Sequence, residues 1–411
     1  MSVEDFRARI MQLDIEIDLQ KELLKKLEYD RSLVRRQLNA ALDPVARLPL
    51  EISSEIFLQG GRQAPAVLMG ICHAWTEIAL ATPKLWTTIR INFPCAEDLA
   101  EVLPVWFQRA RNRPLSITIS LCGHSSNWNH RVSSVIWRHG QQLKHLEILD
   151  DDDFGDESEE SLDLGATNSM SLPLLETLTM RCERQQRDYL VSHIIDLLRQ
   201  APNIVKCIFD NIRTLDHLPD SDHLIAPSLR GMIFGDRHTG EPDILHRLSL
   251  PALETLVIPI SSIFNEEHLL ALIQRSAPPL QHLALGWGFY FTDSFHLLEC
   301  LHIVPSLVRF EMWMADPRAV NALFAALANS PSLLPNLRNL TIHLASGGDE
   351  PNISDSWRML LRALSTRRVM GLEILPVTMP PPTDVLASLR ELVTAGVEIY
   401  IGDDERNLVV A

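Results

Sequence analysis

Positive charge is scarce in this chain: 37 lysines and arginines stand against 53 aspartates and glutamates, a formal net charge of −16 over 411 residues. Nucleic-acid binding needs a basic surface to displace counterions, and an anionic membrane surface makes the same demand, so neither partner is expected. No apolar run approaches the roughly eighteen residues of a membrane span. The first twenty residues are charged throughout, so no secretory signal is read there. Cysteines are few and scattered (Cys72, Cys95, Cys122, Cys182, Cys207 and Cys300) and contain no CxxC pair. They read as buried thiols in a reducing compartment, cytoplasmic or nuclear, rather than as disulfides or zinc ligands.

Catalytic signatures are missing too. There is no GxSxG elbow, no GxxxxGK phosphate loop, no HExxH, and no GxGxxG following a strand. Fifteen histidines show no metal-ligand spacing, and Cys122 with His124 is an isolated pair. The expectation is a protein that does no chemistry itself and holds no cofactor or metal. What the chain has in quantity is core material, with 46% hydrophobic residues.

The first forty residues carry a heptad pattern. Val3, Phe6, Ile10, Leu13, Ile17, Gln20, Leu24, Leu27, Arg31, Val34, Leu38 and Ala41 alternate spacings of three and four, with Gln20 and Arg31 as polar interruptions. This predicts a coiled-coil helix over 1–43, closed by Asp43-Pro44. Two readings stay open: a parallel homodimer through residues 3–41, or a single long helix folded back on the rest of the chain.

Next comes Leu48-Pro49-Leu50-Glu51-Ile52 with Ile56-Phe57, a break at Gly60, Gly61 and Pro65, then Ile71-Cys72, Trp75, Ile78-Ala79, and Pro83-Lys84-Leu85-Trp86. Pro49 suits a helix first turn, and Ile52 and Ile56 share one face. From Ala66 the apolar spacing predicts a second amphipathic helix, ended by Thr82-Pro83. Two short apolar stripes this close together cannot bury each other fully, which invites a partner. The ordered pattern over 44–92 resembles an F-box, the helical module that docks a substrate receptor onto the Skp adaptor of a cullin-type ubiquitin ligase. In plan the chain is similar to the large F-box group of mushroom-forming fungi, where a short coiled coil precedes the box and irregular leucine-rich repeats come after it. His73, Ala74 and Thr76 depart from the basic residues common around the tryptophan in that group. The resemblance implies adaptor contacts at Leu48, Pro49, Ile52, Ile56, Cys72 and Trp75.

From 93 to 411 a phrase recurs, close to Pro-x-Leu-x-x-Leu-x-hydrophobic. Its copies begin at Leu143, Leu175, Ile204, Leu229, Leu253, Leu280, Leu307, Leu337 and Leu372, with a less regular one at Leu115. Successive spacings are 32, 29, 25, 24, 27, 27, 30 and 35 residues. Units of this length look like leucine-rich repeats, each a short parallel strand and a return segment whose bare apolar face is covered by its neighbours. The asparagine that often follows such strands is absent, so the turns must be bridged by other means. Helices are predicted over 189–200, 266–276, 354–367 and 383–394, and one opening at Asp316-Pro317. The fold class is therefore α/β: a coiled-coil helix, a small helical box, then a repeat solenoid. A doubly wound sheet is the alternative, but it would want glycine-rich ligand turns that are not found.

Two further stretches stand out. Residues 150–168 begin with eight acidic residues in eleven and read as a solvated, disordered loop, or as a lure for basic clients. Strand alternation sets Arg181, Lys206, Asp210, His282, Arg309, Glu311, Trp313 and His343 on one open face. Of these, Arg309, Glu311, Trp313 and His343 have the aromatic-plus-arginine character of a client-binding hot spot. Gly286 to Phe291 is the most aromatic stretch and reads either as a second contact or as a core plug. Two functions remain: substrate receptor of a Skp–cullin–F-box ligase holding a client protein, or a non-catalytic dimeric scaffold with a drifted box.

Overall fold

The computed structural model describes residues 3–42, 45–59, 65–151, 162, 164, 170–183, 187–215, 223–235, 243–258, 266–286, 295–315, 317–344, 356–367, 369–377, 381–403 and 405–410. They fall into two compact units, Met1–Ile89 with Pro104–Arg113, and Arg90–Leu103 with Pro114–Ala411. The segment read as a separate coiled-coil domain thus shares a unit with the short helices after it. Residues 104–113, read as repeat material, join that unit as well.

The first unit begins with α1 (Val3–Leu42), one unbroken helix of 40 residues. Neither glycine nor proline occurs in it, and leucine, glutamate, lysine and arginine, all good helix formers, dominate. Every described side chain along it is exposed. Asp43-Pro44 lies outside the described residues. Helix α2 (Leu50–Gln59) follows, then α3 (Pro65–Met69) and α4 (His73–Ala81). The single helix expected from Ala66 is therefore two. Gly70 and Ile71 close α3 by donating back to Val67 O and Leu68 O. Cys72 turns extended (φ −155°, ψ 169°), and its Sγ accepts from Trp75 N at 3.5 Å as the cap of α4. Thr76 Oγ1 bonds both Met69 O (2.9 Å) and Cys72 O (3.0 Å), tying the two helices across the break. Competition of this kind from short polar side chains is what ends helices.

Phe57, Leu68 and Ala79 make the core of these helices, with Val45, Met69, Trp75, Ile78 and Leu85 packed on them. Trp75 lies against Phe57, ring centroids 4.8 Å apart. A second cluster forms on Trp86, which is wholly buried and donates Nε1–H to Ala79 O at 2.8 Å. Trp106, on α5 (Leu99–Ala110), meets it edge-on at 4.8 Å and donates to Trp86 O, while the Arg109 guanidinium stands 4.6 Å from the Trp86 ring.

Among the described residues the large sheet of the second unit has twelve strands, the first beginning at the end of the first unit: β1 (Thr88–Phe93), β2 (Leu115–Cys122), β3 (Leu143–Asp151), β4 (Thr177–Cys182), β6 (Lys206–Asp210), β9 (Gly231–Phe234), β11 (Thr255–Ile258), β12 (His282–Gly286), β13 (Arg309–Ala315), β14 (Asn339–Leu344), β15 (Gly371–Leu375) and β16 (Glu398–Ile401). Each sits beside the next in sequence order, and from β2 onward every neighbouring pair is parallel. Two short parallel pairs lie apart from this sheet: β5 (Arg187–Leu190) with β7 (Ile212–Leu215), and β8 (Leu224–Ile225) with β10 (Leu248–Ser249). Helices α6 (His130–Arg138), α7 (Val191–Gln200), α8 (Glu266–Ser276), α9 (Phe295–His302), α10 (Pro317–Asn329), α11 (Ser356–Thr366) and α12 (Thr383–Thr394) fall between strands. α8 contacts α9, and α11 contacts both α10 and α12. Helices α8 and α12 run as predicted. Tyr189, expected in a helix, is in strand β5, and Asp316, the expected cap, lies outside the described residues.

Register explains the repeated phrase. Leu146, Leu178, Cys207, Met232, Leu256, Leu283, Phe310, Leu340 and Leu372 align across the sheet in one buried row. Three residues before each stands a second buried apolar residue, from Leu143 through Leu337. By this register the position equivalent to Leu337 in the last predicted unit is Val369, not Leu372, which shortens that spacing from 35 to 32. A backbone ladder runs just ahead of the strands: Arg230 N to Val205 O, Glu254 N to Arg230 O, Gln281 N to Glu254 O, Val308 N to Gln281 O and Arg338 N to Val308 O, each 2.8 Å. The turns are bridged by side chains, Asn203 to Pro173 O, Asn336 to Pro305 O and Ser306 to Leu280 O. Arg275 caps Leu245 O and Leu248 O, and Arg367 caps the carbonyls of Leu327, Ser330, Leu333 and Leu334.

The first two residues of the segment read as an acidic loop over 150–168 belong to a strand. Asp150 and Asp151 are the last residues of β3, and Asp150 is buried, paired in register with Leu121 and Cys182. Leu162 and Leu164 are buried as well. Residues 152–161 lie outside the described residues.

Candidate functional surfaces

Helix α2 is amphipathic the wrong way round for an isolated unit. Its inward face carries Ser53 and Phe57, four residues apart, and Ser53 reaches Val45 O at 3.0 Å. Its outward face carries Ile52 (51% exposed) and Ile56 (44%), continuing the four-residue step from Leu48. A serine inside and isoleucines outside reverse the ordinary preference. Leu50, Val67, Ile71 and Leu80 are also exposed within the same short stretch. Ile52 and Ile56, one turn apart on α2, make an exposed apolar patch of the kind that can dock a partner.

Four of the six expected adaptor contacts, Leu48, Pro49, Ile52 and Ile56, are at this surface. The other two are less exposed. Cys72 is 0% exposed because its sulfur caps α4, and Trp75 is half-buried because its ring packs on Phe57. The sequence pattern includes Leu50 and Ile71 but does not read them as contacts, and it passes over Val67 and Leu80.

The open face of the sheet is the second surface. Arg309 stands in the row with His282 and Asn339, and Glu311 in the next row between Ala284 and Thr341. Glu311 is not a free contact. Its side chain is 8% exposed and accepts from His282 Nε2 at 2.9 Å and Arg309 Nε at 2.6 Å. The hydrogen bond from His282 holds the carboxyl below its ordinary range, against the upward push of burial, and the positive charge of Arg309 adds to the lowering. The result is a three-residue bracket stitching β12 to β13. Arg309 keeps half its side chain in solvent, and Trp313 and His343 are half-buried. Trp313 pairs with Gly286, which has no side chain to cover the ring. Trp287 to Phe291 lie outside the described residues. Lys206, Arg181 and Asp210, expected on this face, are exposed or half-buried there, the last two in register with each other.

Among the described residues no group of three His, Cys, Asp or Glu is placed to hold a metal, and no helix is long and apolar enough to cross a membrane. Cys207 is fully buried, and burial pushes its thiol up, away from reactivity. No family model matches the chain. Comparison with curated proteins gives no match either.

Proposed function

We propose that this chain is the substrate-receptor subunit of a Skp–cullin–F-box ubiquitin ligase. The observation that carries the reading is the reversed helix α2, with Ile52 and Ile56 outward over an inward Ser53 and Phe57, and Leu48 exposed just before it. A Skp-type adaptor is the partner that the resemblance over 44–92 implies for such a surface. The second unit is read as a leucine-rich-repeat-like solenoid. A doubly wound sheet reverses its strand order at a switch point, whereas this order advances without reversal, one strand per 24–32 residues from Leu143 to Val369. Its open face, at Arg309, Trp313 and His343, is where a client protein binds. The subunit does no chemistry and needs no cofactor. Holding client and charged enzyme on one assembly raises the local concentration of each for the other, and the ligase supplies the transfer that marks the client for degradation.

The test is co-expression with a fungal Skp adaptor, read by gel filtration and calorimetry, beside a Leu48→Ala/Ile52→Ala/Ile56→Ala variant. A one-to-one complex that the variant loses while keeping its circular dichroism is expected. A folded wild-type chain that leaves the adaptor unbound would overturn the reading.

A further inference from the structure

Helix α1 spans about 60 Å at the rise of an α-helix, and its nine apolar seam residues outside Ala41 are 41–69% exposed. The unit that contains it leaves this seam uncovered. In heptad terms Val3, Ile10, Ile17, Leu24, Arg31 and Leu38 take the a positions, and Phe6, Leu13, Gln20, Leu27, Val34 and Ala41 the d positions. β-branched residues at the first three a positions, with Leu13 and Leu27 at d, favour two strands in parallel.

Flanking charges identify the second strand. In a parallel in-register pair, each g position faces the e position five residues later on the other chain. Arg9 then meets Asp14, Glu16 meets Lys21, and Asp30 meets Arg35, while Leu23 and Gln37 meet Glu28 and Leu42. Every charged pair is of opposite sign. The antiparallel arrangement that keeps all the seam layers opposed gives the reverse. It sets Arg7 on Arg35, Asp14 on Glu28, Lys21 on Lys21 and Glu16 on Asp30, all of like sign. The polar seam residues fit the parallel choice as well, since Gln20 meets its own copy and Arg31 lies within reach of the other chain's Asp30.

We infer that a second copy of this chain covers the seam, as a parallel, in-register coiled-coil homodimer through residues 3–41. This surface is independent of adaptor binding, and the experiment is done without adaptor. Full-length protein is followed by sedimentation and light scattering across a concentration series, as wild type, Leu13→Glu/Leu27→Glu, Glu16→Lys, and Lys21→Glu.

The wild type is expected to be a dimer and the seam variant a monomer with its second unit folded. Each single charge change turns two attractive pairs repulsive and weakens association roughly tenfold. Mixed in equal amounts, the Glu16→Lys and Lys21→Glu chains restore both pairs in a heterodimer and recover the wild-type affinity. Three results would overturn the inference: a monomeric wild type, a dimer that survives the seam variant, or a Glu16→Lys chain that associates more tightly. The last is what the antiparallel arrangement requires, because the introduced lysine would then face Asp30.

Discussion

Replacing Ile52 and Ile56 together by alanine separates a docking face from a structural one. Covering a whole isoleucine side chain contributes about 1.5–3 kcal/mol. The two side chains are 51% and 44% exposed, so about half of each is already covered by the unit itself. A partner that buries the remainder gains roughly 1 kcal/mol from each, or about 2 kcal/mol for both, which is about thirtyfold in Kd. The folded state loses much less, because the half it already covers lies at the rim and neither residue belongs to the core of Phe57, Leu68 and Ala79. Phe57→Ala is the contrast: at 5% exposure it should cost about 3–5 kcal/mol of folding stability. Calorimetric titration with the adaptor and a thermal melt of each variant read the two quantities separately. A double variant that binds as tightly as wild type, or one that melts as early as Phe57→Ala, would refute a docking role for this face.

Three other outcomes are expected. Cys72→Ala should cost about 1 kcal/mol, the usual loss of a helix cap, and leave adaptor affinity unchanged in the folded fraction, because the sulfur caps α4 from inside. Arg367→Met should destabilise the segment around α10 and α11 by roughly 3 kcal/mol. Four charged hydrogen bonds would suggest more, but they share two nitrogens and solvent reaches part of the group; faster amide exchange in those helices is the readout. Glu311→Gln should remove a pH dependence. The carboxyl's folded pKa is lowered from 4.5, so its contribution is intact above about pH 4.5 and is lost as pH falls through the lowered value. Chemical denaturation from pH 7 to pH 3 should therefore show wild type and variant converging only in the acid range.

The local signals in the chain settled a good deal. A strict three-four alternation with no helix breaker specified α1, and the recurring Leu-x-x-Leu phrase specified parallel strands in sequence order, because each strand is buried against a neighbour that carries the same pattern. Shorter elements escaped notice. Helix α9 and strand β16 have too few residues for a period to emerge, and β1 has only two buried residues in six.

Direction and competition were decided only in three dimensions. Ile52 and Phe57 are equally apolar in a sequence, and only packing against Leu68 and Ala79 makes one a core residue and the other a surface one. Cys72 and Glu311 look like ordinary candidates for contact. The tertiary structure assigns the first to a helix cap and the second to a bracket with His282 and Arg309, because a buried polar atom must find its partner from whatever the fold brings within about 3 Å. Period and charge pattern are properties of the chain. Which side chain is used up in holding the fold, and which is left over for a partner, depends on neighbours that are distant in sequence.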